Sequence, residues 1–486
     1  MRVSIAVVAI LLFGLNTMAQ DTTFVRFYGG GENETGADLI QVGNHFYLIG
    51  TYGSGGHGLT DLYVVKTDTL GNRIWTSALG TPAVEMATAG AAMGDTALII
   101  VGYTNSTFEN TYDGLLTCID SAGNELWSRT VGGTNWDLLH SVMVDTDGNI
   151  VAVGETSSIG AGGADGLLVK YDSQGNQLYQ KTFGGTDEDR FKTIAQLTAT
   201  EYVIGGNFES GAIDSTDIVI IRTDLAGNAV HTKYHGGSGR DIVNKLVVSS
   251  DKNLAIIGAT STGSAGGLDF NLMRTDTLGN VAWQERFGGP DDEQWRDGFI
   301  NSNQAVVCTG HSFSQIGAGK EEVFLYRFFF GGWFDYLTTF GTLENDFGMA
   351  IIPATQPNTF LFAGTTNGQG CGNNDIFVGR SKADGGMGGY STFSFCDTTG
   401  VISSVDQQEK TEFRVFRDEA YCVIALNENI NGAKAEFFFV DGRKLLSTDL
   451  NAGLNRISLA ETGLVVGRIL NSDGTVKSFV LPPYLR

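Results

Sequence analysis

Apolar residues in this chain come in short runs that partly alternate with polar ones, and the breaks between runs are rich in Gly, Asn, Asp and Ser. The stretch from Phe183 shows the order: "RFKTIAQL", "EYVIGGNF", "DIVIIRT" and "NAVHTKYH". Runs of this kind, bounded by turn formers, predict β-strands joined by tight turns. The break before the fourth run returns almost verbatim as "DTLGN" from Asp68, "DSAGN" from Asp120, "DSQGN" from Asp172, "DLAGN" from Asp224 and "DTLGN" from Asp276. Asp bonds its own turn and Gly takes positive φ, so each of these predicts a hairpin.

A second pattern opens each group of four runs. It reads "YGGGENE" from Tyr28, "LGTPAVE" from Leu79, "VGGTNWD" from Val131, "FGGTDED" from Phe183, "HGGSGRD" from His235, "FGGPDDE" from Phe287 and "FGTLEND" from Phe340. Its closing acids, Glu34, Glu85, Asp137, Asp189, Asp241, Glu293 and Asp346, are spaced by 51, 52, 52, 52, 52 and 53 residues. Seven repeats of four antiparallel strands predict an all-β fold, a seven-bladed β-propeller over residues 20–398. A linear solenoid is the alternative, but closing the ring hides the edges of every sheet. "TTFVRFYGG" from Thr22 copies a fourth strand with no first three of its own. Phe24 to Tyr28 should therefore close the seventh blade as its outer strand, and the segment from Tyr390 should lead out of the ring.

Composition narrows the class. The 67 glycines beside 6 prolines and 17% charged residues fit many tight turns between apolar strands. A net charge of −23 disfavours nucleic acid and anionic membranes as partners. Residues 1–19 read as a secretory signal peptide: Arg2, the run "VSIAVVAILLFGL", then Thr17 and Ala19 as the small residues before a cut. No later run is long enough for a membrane helix. The protein is thus expected to be secreted or held at the outer cell surface. Of five cysteines, Cys118 and Cys308 fall in apolar strands as buried thiols. Cys371 and Cys396 flank the last repeat strand and are expected to form a disulfide after export.

A further periodic acid opens each third strand: Asp61, Asp113, Asp165, Asp217, Asp269, Glu322 and Asp375. With the seven above it makes fourteen acids on one face of the disc. Acids that recur in every blade are expected to hold the fold, accepting N–H bonds from tight loops whose glycines let blades approach closely. Non-periodic residues are better functional candidates. No cofactor is expected, and Ca²⁺ is the one ion that the extra acids Asp187, Glu188, Asp291 and Asp292 suit, as weak oxygen ligands. "DTDGN" at Asp145 to Asn149 lacks the later ligands of a calcium loop and reads as a hairpin. In the sixth unit "RFFFGGWFDY" replaces the Asp turn. Phe329, Phe330, Trp333 and Phe334 then form an aromatic tip on the opposite face, either an interface or packed on the C-terminal domain. Aromatics four residues after each turn glycine, Trp75, Trp127, Tyr179, His231, Trp283 and Tyr336, read as inter-blade packing.

The repeat resembles the β-propeller units of secreted Bacteroidetes proteins, most clearly at "DLYVVKTDTLGNRIW" and "LDFNLMRTDTLGNVAW". After a linker at 399–411, residues 412–486 predict a small β-sandwich with "VDGR" and "SDGT" turns. That segment is similar to the sorting domain of type IX secretion cargo, although the Pro-Asn-Pro opening of that family is missing near Phe413 to Phe416. The resemblance implies the type IX secretion machinery as a partner. The expected function is an exported scaffold that binds a protein or glycan without catalysis of its own. The alternative is an enzyme, either quinoprotein-like or glycan-active. No adjacent Cys-Cys pair supports the quinoprotein, and no G-x-S-x-G, H-E-x-x-H or P-loop pattern occurs. A glycan site would need arginines or unpaired aromatics converging on the loop face. Convergent non-periodic polar residues at the mouth of the central channel would favour catalysis, and a plain glycine rim a scaffold.

Overall fold

The computed structural model describes residues 23–382 apart from 54–55, 107–110, 210–215, 265, 314–320, 330, 343, 355–358, 369 and 371; further on it describes strands and a few flanking residues between 391 and 481. Every regular element among the described residues is a β-strand. Six sheets each contain four strands in sequence order, as in Asp137–Val144, Ile150–Thr156, Asp165–Tyr171 and Gln177–Phe183. The inner strands begin at Glu34, Glu85, Asp137, Asp189, Asp241, Glu293 and Asp346, the acids that mark the repeat. The seventh blade takes three strands from Asp346–Pro353, Phe360–Thr366 and Asp375–Arg380 and its fourth, Phe24–Gly29, from the start of the chain. That strand runs antiparallel to its neighbour, from Phe24 opposite Arg380 to Tyr28 opposite Ile376. The ring is a seven-bladed β-propeller closed by its own N-terminal strand.

The segment after Tyr390 differs from expectation. Ser391–Cys396 adds in parallel to the outer edge of Phe24–Gly29, and Ile402–Val405, inside the expected linker, pairs with it in turn. The physical reason is the free row of N–H and C=O groups that a short outer strand leaves exposed. Beyond it lie a three-stranded sheet (Phe413–Asp418, Tyr421–Leu426, Gly453–Ser458) and a four-stranded one (Lys444–Asp449, Lys434–Phe439, Val465–Leu470, Val476–Leu481). Residues 1–22 and the Cys371–Cys396 pairing lie outside what is described.

Second and third strands are the apolar runs, and in blade three both are buried along their whole length while the outer strand is half-buried to exposed. Their two faces pack against the flanking blades: Ile99 and Leu116 of blade two share one cluster with Leu139, Val142 and Val169 of blade three. Each fully buried aliphatic side chain contributes about 1.5–3 kcal/mol. Cys118 and Cys308 are buried free thiols, and burial pushes Cys118 up to about 11.

The periodic acids hold the blade joints. Glu34 accepts the N–H of Gly30 at 2.7 Å, Asp137 that of Gly133 at 2.9 Å and Glu293 that of Gly289 at 2.7 Å. Third-strand acids do the same one loop away, as Asp61 does for His57 at 2.8 Å. Acids of adjacent blades bracket a glycine so closely that a Cβ on Gly132 would meet Asp113 Oδ1 at 2.3 Å and Asp137 Oδ2 at 2.5 Å.

Candidate functional site

Every inner strand carries the same irregularity. Its register with the second strand slips around the third residue after the periodic acid, between Leu139 and Ser141 in blade three and at the equivalent place in the other six. A bulge re-aims a side chain and is common beside functional sites. The bulged residues around the channel are Ala37, Thr88, His140, Lys192, Asn244, Arg296 and Met349. Blades three, four and six thus contribute a histidine and two cations at a level where other blades place small or uncharged residues.

A second level comes from the penultimate register of the second strand: Thr51, Tyr103, Glu155, Asn207, Ala259, His311 and Thr365. Thr51, Asn207 and Thr365 accept the N–H of Ala87, Val243 and Gly36 in the next blade at 3.2, 2.8 and 3.0 Å, which is joint work. Glu155 does something else. Its Oε1 lies 3.2 Å from His140 Nε2, and its Oε2 pairs with Arg190, which also pairs with Glu188. Lys192 Nζ stands 2.9 Å from the same His140 Nε2. One ring nitrogen faces both a carboxylate and an ammonium and can serve only one of them.

Burial lowers the His140 pKa, and Lys192 lowers it further against the pull of Glu155, so the ring is neutral near pH 7. Burial alone would raise Glu155, but the hydrogen bond from His140 and the charges around it, Lys192 and Arg190 among them, hold it at about 2. Burial also lowers Lys192, with Glu155 opposing and Arg190 and Arg296 reinforcing. Arg296 is desolvated, and among the described residues its Nε has no hydrogen-bond partner. Burial, with the Arg296 charge adding to it, pushes His311 down to about 3, and its ring meets Phe313 and Phe347 edge-on at 5.7 and 5.2 Å.

Deeper in the channel a cavity of about 520 Å³ is lined by Asp38, Lys245, Asp297, Gln196, Phe299 and Ile352 among others. Lys245 bonds Asp297 at 2.9 Å, and that charge raises its pKa. Burial pushes Asp38 up to about 6, with Lys245 opposing and Asp297 adding to the rise. Both acids also staple blades, since Asp38 accepts the N–H of Gly90 at 2.9 Å and Asp297 that of Ile351 at 2.8 Å. Thr193 does this for Leu246 at 3.2 Å, so the pattern is structural even without a charge.

The loop face around the mouth carries exposed aromatics. Trp136 is 53% exposed and stacks edge-on with Tyr112 at 5.1 Å, which meets Tyr103 at 5.2 Å. Phe313, 40% exposed, stands on the blade-six side.

The residues singled out from sequence land elsewhere. Asp187 and Glu188 sit in the loop before blade four and Asp291 and Asp292 in the loop before blade six, so blades four and five lie between the two pairs. Glu188 turns to Arg190, and Asp292 accepts the N–H of Leu268 at 2.7 Å. Among the described residues no three metal-ligating side chains gather. Asp145 to Asn149 is a hairpin whose Asp145 pairs with Lys170 at 2.9 Å and accepts from Tyr202 at 2.7 Å. Phe329 and Trp333 are 47% and 61% exposed, Phe334 packs on Tyr326, and Phe330 lies outside the described residues. The strand Val476–Leu481 runs beside Phe334–Phe340, the outer strand that follows this turn. His231 bonds the carbonyl of Leu278 in the next blade at 3.0 Å, as a packing residue would. His140, Lys192 and Arg296 carry one signal in sequence, an unusual residue type at a fixed distance from the periodic acid.

No protein-family model matches the chain. A stretch of 221 residues is 24% identical to the regulatory protein FlaEY of Caulobacter vibrioides; the match takes in 38% of this chain and 23% of that protein, so the chain spans under a quarter of that relative's length. Among solved structures it is similar to the β-propeller domain of the Trilobed protease from Pyrococcus furiosus, with 11% identity, 73% of this chain and 96% of that one covered, and a TM-score of 0.43. A puromycin hydrolase mutant (12% identity, 81% and 58% covered, TM-score 0.45) and the polysaccharide lyase Uly1 (10%, 72% and 89%, TM-score 0.42) are also similar. The seven-bladed ring rests on the sheet pairings of this chain itself.

Proposed function

We propose that this chain is an exported β-propeller binding module whose recognition centre is the channel mouth rather than the acidic loops or the aromatic turn. The observation that carries this is the non-periodic group His140, Glu155, Arg190, Lys192 and Arg296, set by bulges and strand ends into one partly desolvated space. Buried polar groups that joints do not use are where recognition is concentrated. The disc positions them rigidly, so binding a protein or glycan requires little ordering of the site itself. The sheets between Phe413 and Leu481 fit a small β-sandwich, proposed here as a type IX sorting-like domain that directs the propeller to the cell exterior. Truncation after residue 398 should then leave the protein inside the cell; undiminished secretion would remove that part.

A second reading, an enzyme, is supported by the same convergence of non-periodic polar residues at the channel mouth, which is the feature expected of a catalytic site. His140, neutral between Glu155 and Lys192, has the composition of a general acid–base group, so the mouth would also suit an enzyme acting on the ligand it binds. The test is one experiment with two readouts. The full chain is screened against glycan and extracellular-protein arrays, and bound ligands are incubated and analysed for new chain ends. Binding that falls at least tenfold in Lys192→Gln and Arg296→Gln supports the module. Turnover abolished in His140→Gln would convert it to an enzyme. Ligand binding indifferent to all three variants rejects the channel mouth.

A further inference from the structure

We propose that the ligand of the channel mouth is an acidic polysaccharide, its oxyanion seated on Lys192, Arg296 and Arg190 and its sugar faces on Trp136 and Phe313; this rests on the reading above. Three cations meet there in a chain whose net charge is −23: Lys192 and Arg296 hold the same bulge position on their inner strands, Lys192 stands 2.9 Å from His140, and Arg190 pairs with the Glu155 that faces the same ring. Arg190 is already met by Glu155 and Glu188, but Lys192 and Arg296 are desolvated like charges, which are destabilising unless an anion joins them. Within the described residues Glu155 is engaged by His140 and Arg190. It does not answer Arg296, whose buried Nε has no partner there. Among the described residues Lys192 bonds only the His140 ring nitrogen that also faces Glu155, so turning to a ligand would leave that nitrogen to Glu155 alone.

The aromatics choose the kind of anion. Trp136, Tyr112 and Tyr103 form one edge-on series beside blades two and three, and Phe313, His311 and Phe347 another beside blades six and seven. The cations of blades four and six lie on the same level of the channel between them. Apolar ring faces next to cationic donors suit a pyranose carrying carboxylate or sulfate, whose C–H face stacks while its anion pairs bidentately with Arg. Single-stranded nucleic acid would also stack, but its phosphates need a basic track along several nucleotides. Here the clustered cations sit at one mouth and form no such track.

The full chain would be titrated calorimetrically with oligogalacturonate as the carboxylate probe, dextran sulfate as the sulfate probe, neutral dextran, and an oligothymidylate. Oligogalacturonate or dextran sulfate should bind, whichever is tighter identifying the oxyanion, and affinity should fall several-fold between 50 and about 300 mM salt. Lys192→Gln and Arg296→Gln should each weaken binding at least tenfold and Trp136→Ala about as much, while Lys252→Gln on a distant hairpin should change nothing. The salt dependence is read on the unaltered protein and needs no variant to fold. Dextran bound as tightly as the acidic probes, salt-independent binding, or preference for oligothymidylate each overturns the proposal. Failure of all four probes overturns it too, but a protein ligand from the array that still depends on Lys192 and Arg296 would leave the binding module standing.

Discussion

Gly123 and Trp75 stand in neighbouring blades and touch. Gly123 has φ +88°, and a Cβ there would come within 3.0 Å of the Trp75 ring; Gly175 stands likewise over Trp127, Gly227 over Tyr179 and Gly332 over Trp283. Gly71 sits over Phe24, so the closing strand continues the series around the ring. Gly123→Ala is therefore expected to lower stability by about 1 kcal/mol from backbone strain, and more where the ring cannot shift. Urea unfolding checks this, and an unchanged midpoint would show that the contact is slack. Asp38 gives a pH prediction. A carboxyl raised from 3.8 to about 6 binds its proton more tightly folded than unfolded. Its contribution is present at pH 3.8 and below and is lost as pH rises through 6. Asp38→Asn, which keeps an acceptor for Gly90, should flatten the pH dependence of Tm across that window; superimposable curves would refute the assignment. At this scale the sequence made the glycines, turn acids and aromatics legible, because each recurs in register. His140, Lys192 and Arg296 were not, since single residues on an inner strand acquire meaning only when the ring brings strands of different blades face to face.

Turns are where the elements differ. In blade one, Asp68 Oδ1 accepts the N–H groups of Leu70 and Asn72 at 2.8 and 2.9 Å. The blade-six turn keeps the same backbone bonds, Phe329 N–H to Trp333 O at 2.8 Å and Gly332 N–H to Phe329 O at 2.9 Å, without the Asp. The departure from D-x-x-G-N is thus in side chains alone. Phe329→Asp with Trp333→Asn should hold stability or raise it by up to about 1 kcal/mol. Loss of secretion or association in that variant would give the aromatics an interface role, and no change in either would leave them as surface. The closing strand is a second element with a clear forecast. Deleting residues 23–29 exposes the edge of Asp375–Arg380 and removes Phe24 and Tyr28 from a core cluster. Soluble yield should collapse, or the protein should associate through the opened blade. Monomeric protein with unaltered cooperativity would mean that the ring does not depend on this strand.

For the whole molecule, sequence by itself determined the number of blades, their order, the N-terminal closure and the places of the periodic acids. It could do so because a repeat reports the same local physics seven times: strand alternation, turn chemistry and glycine at close approaches. Only the tertiary structure decided where the non-periodic residues meet. Closure of the ring sets inner strands of different blades across one narrow channel, and a bulge at the same register in each strand places His140, Lys192 and Arg296 at one depth. Spatial neighbours 52 and 104 residues apart in the chain share no local signal. The charges that distinguish this propeller from a neutral disc therefore became readable as a site only when the seven blades were joined.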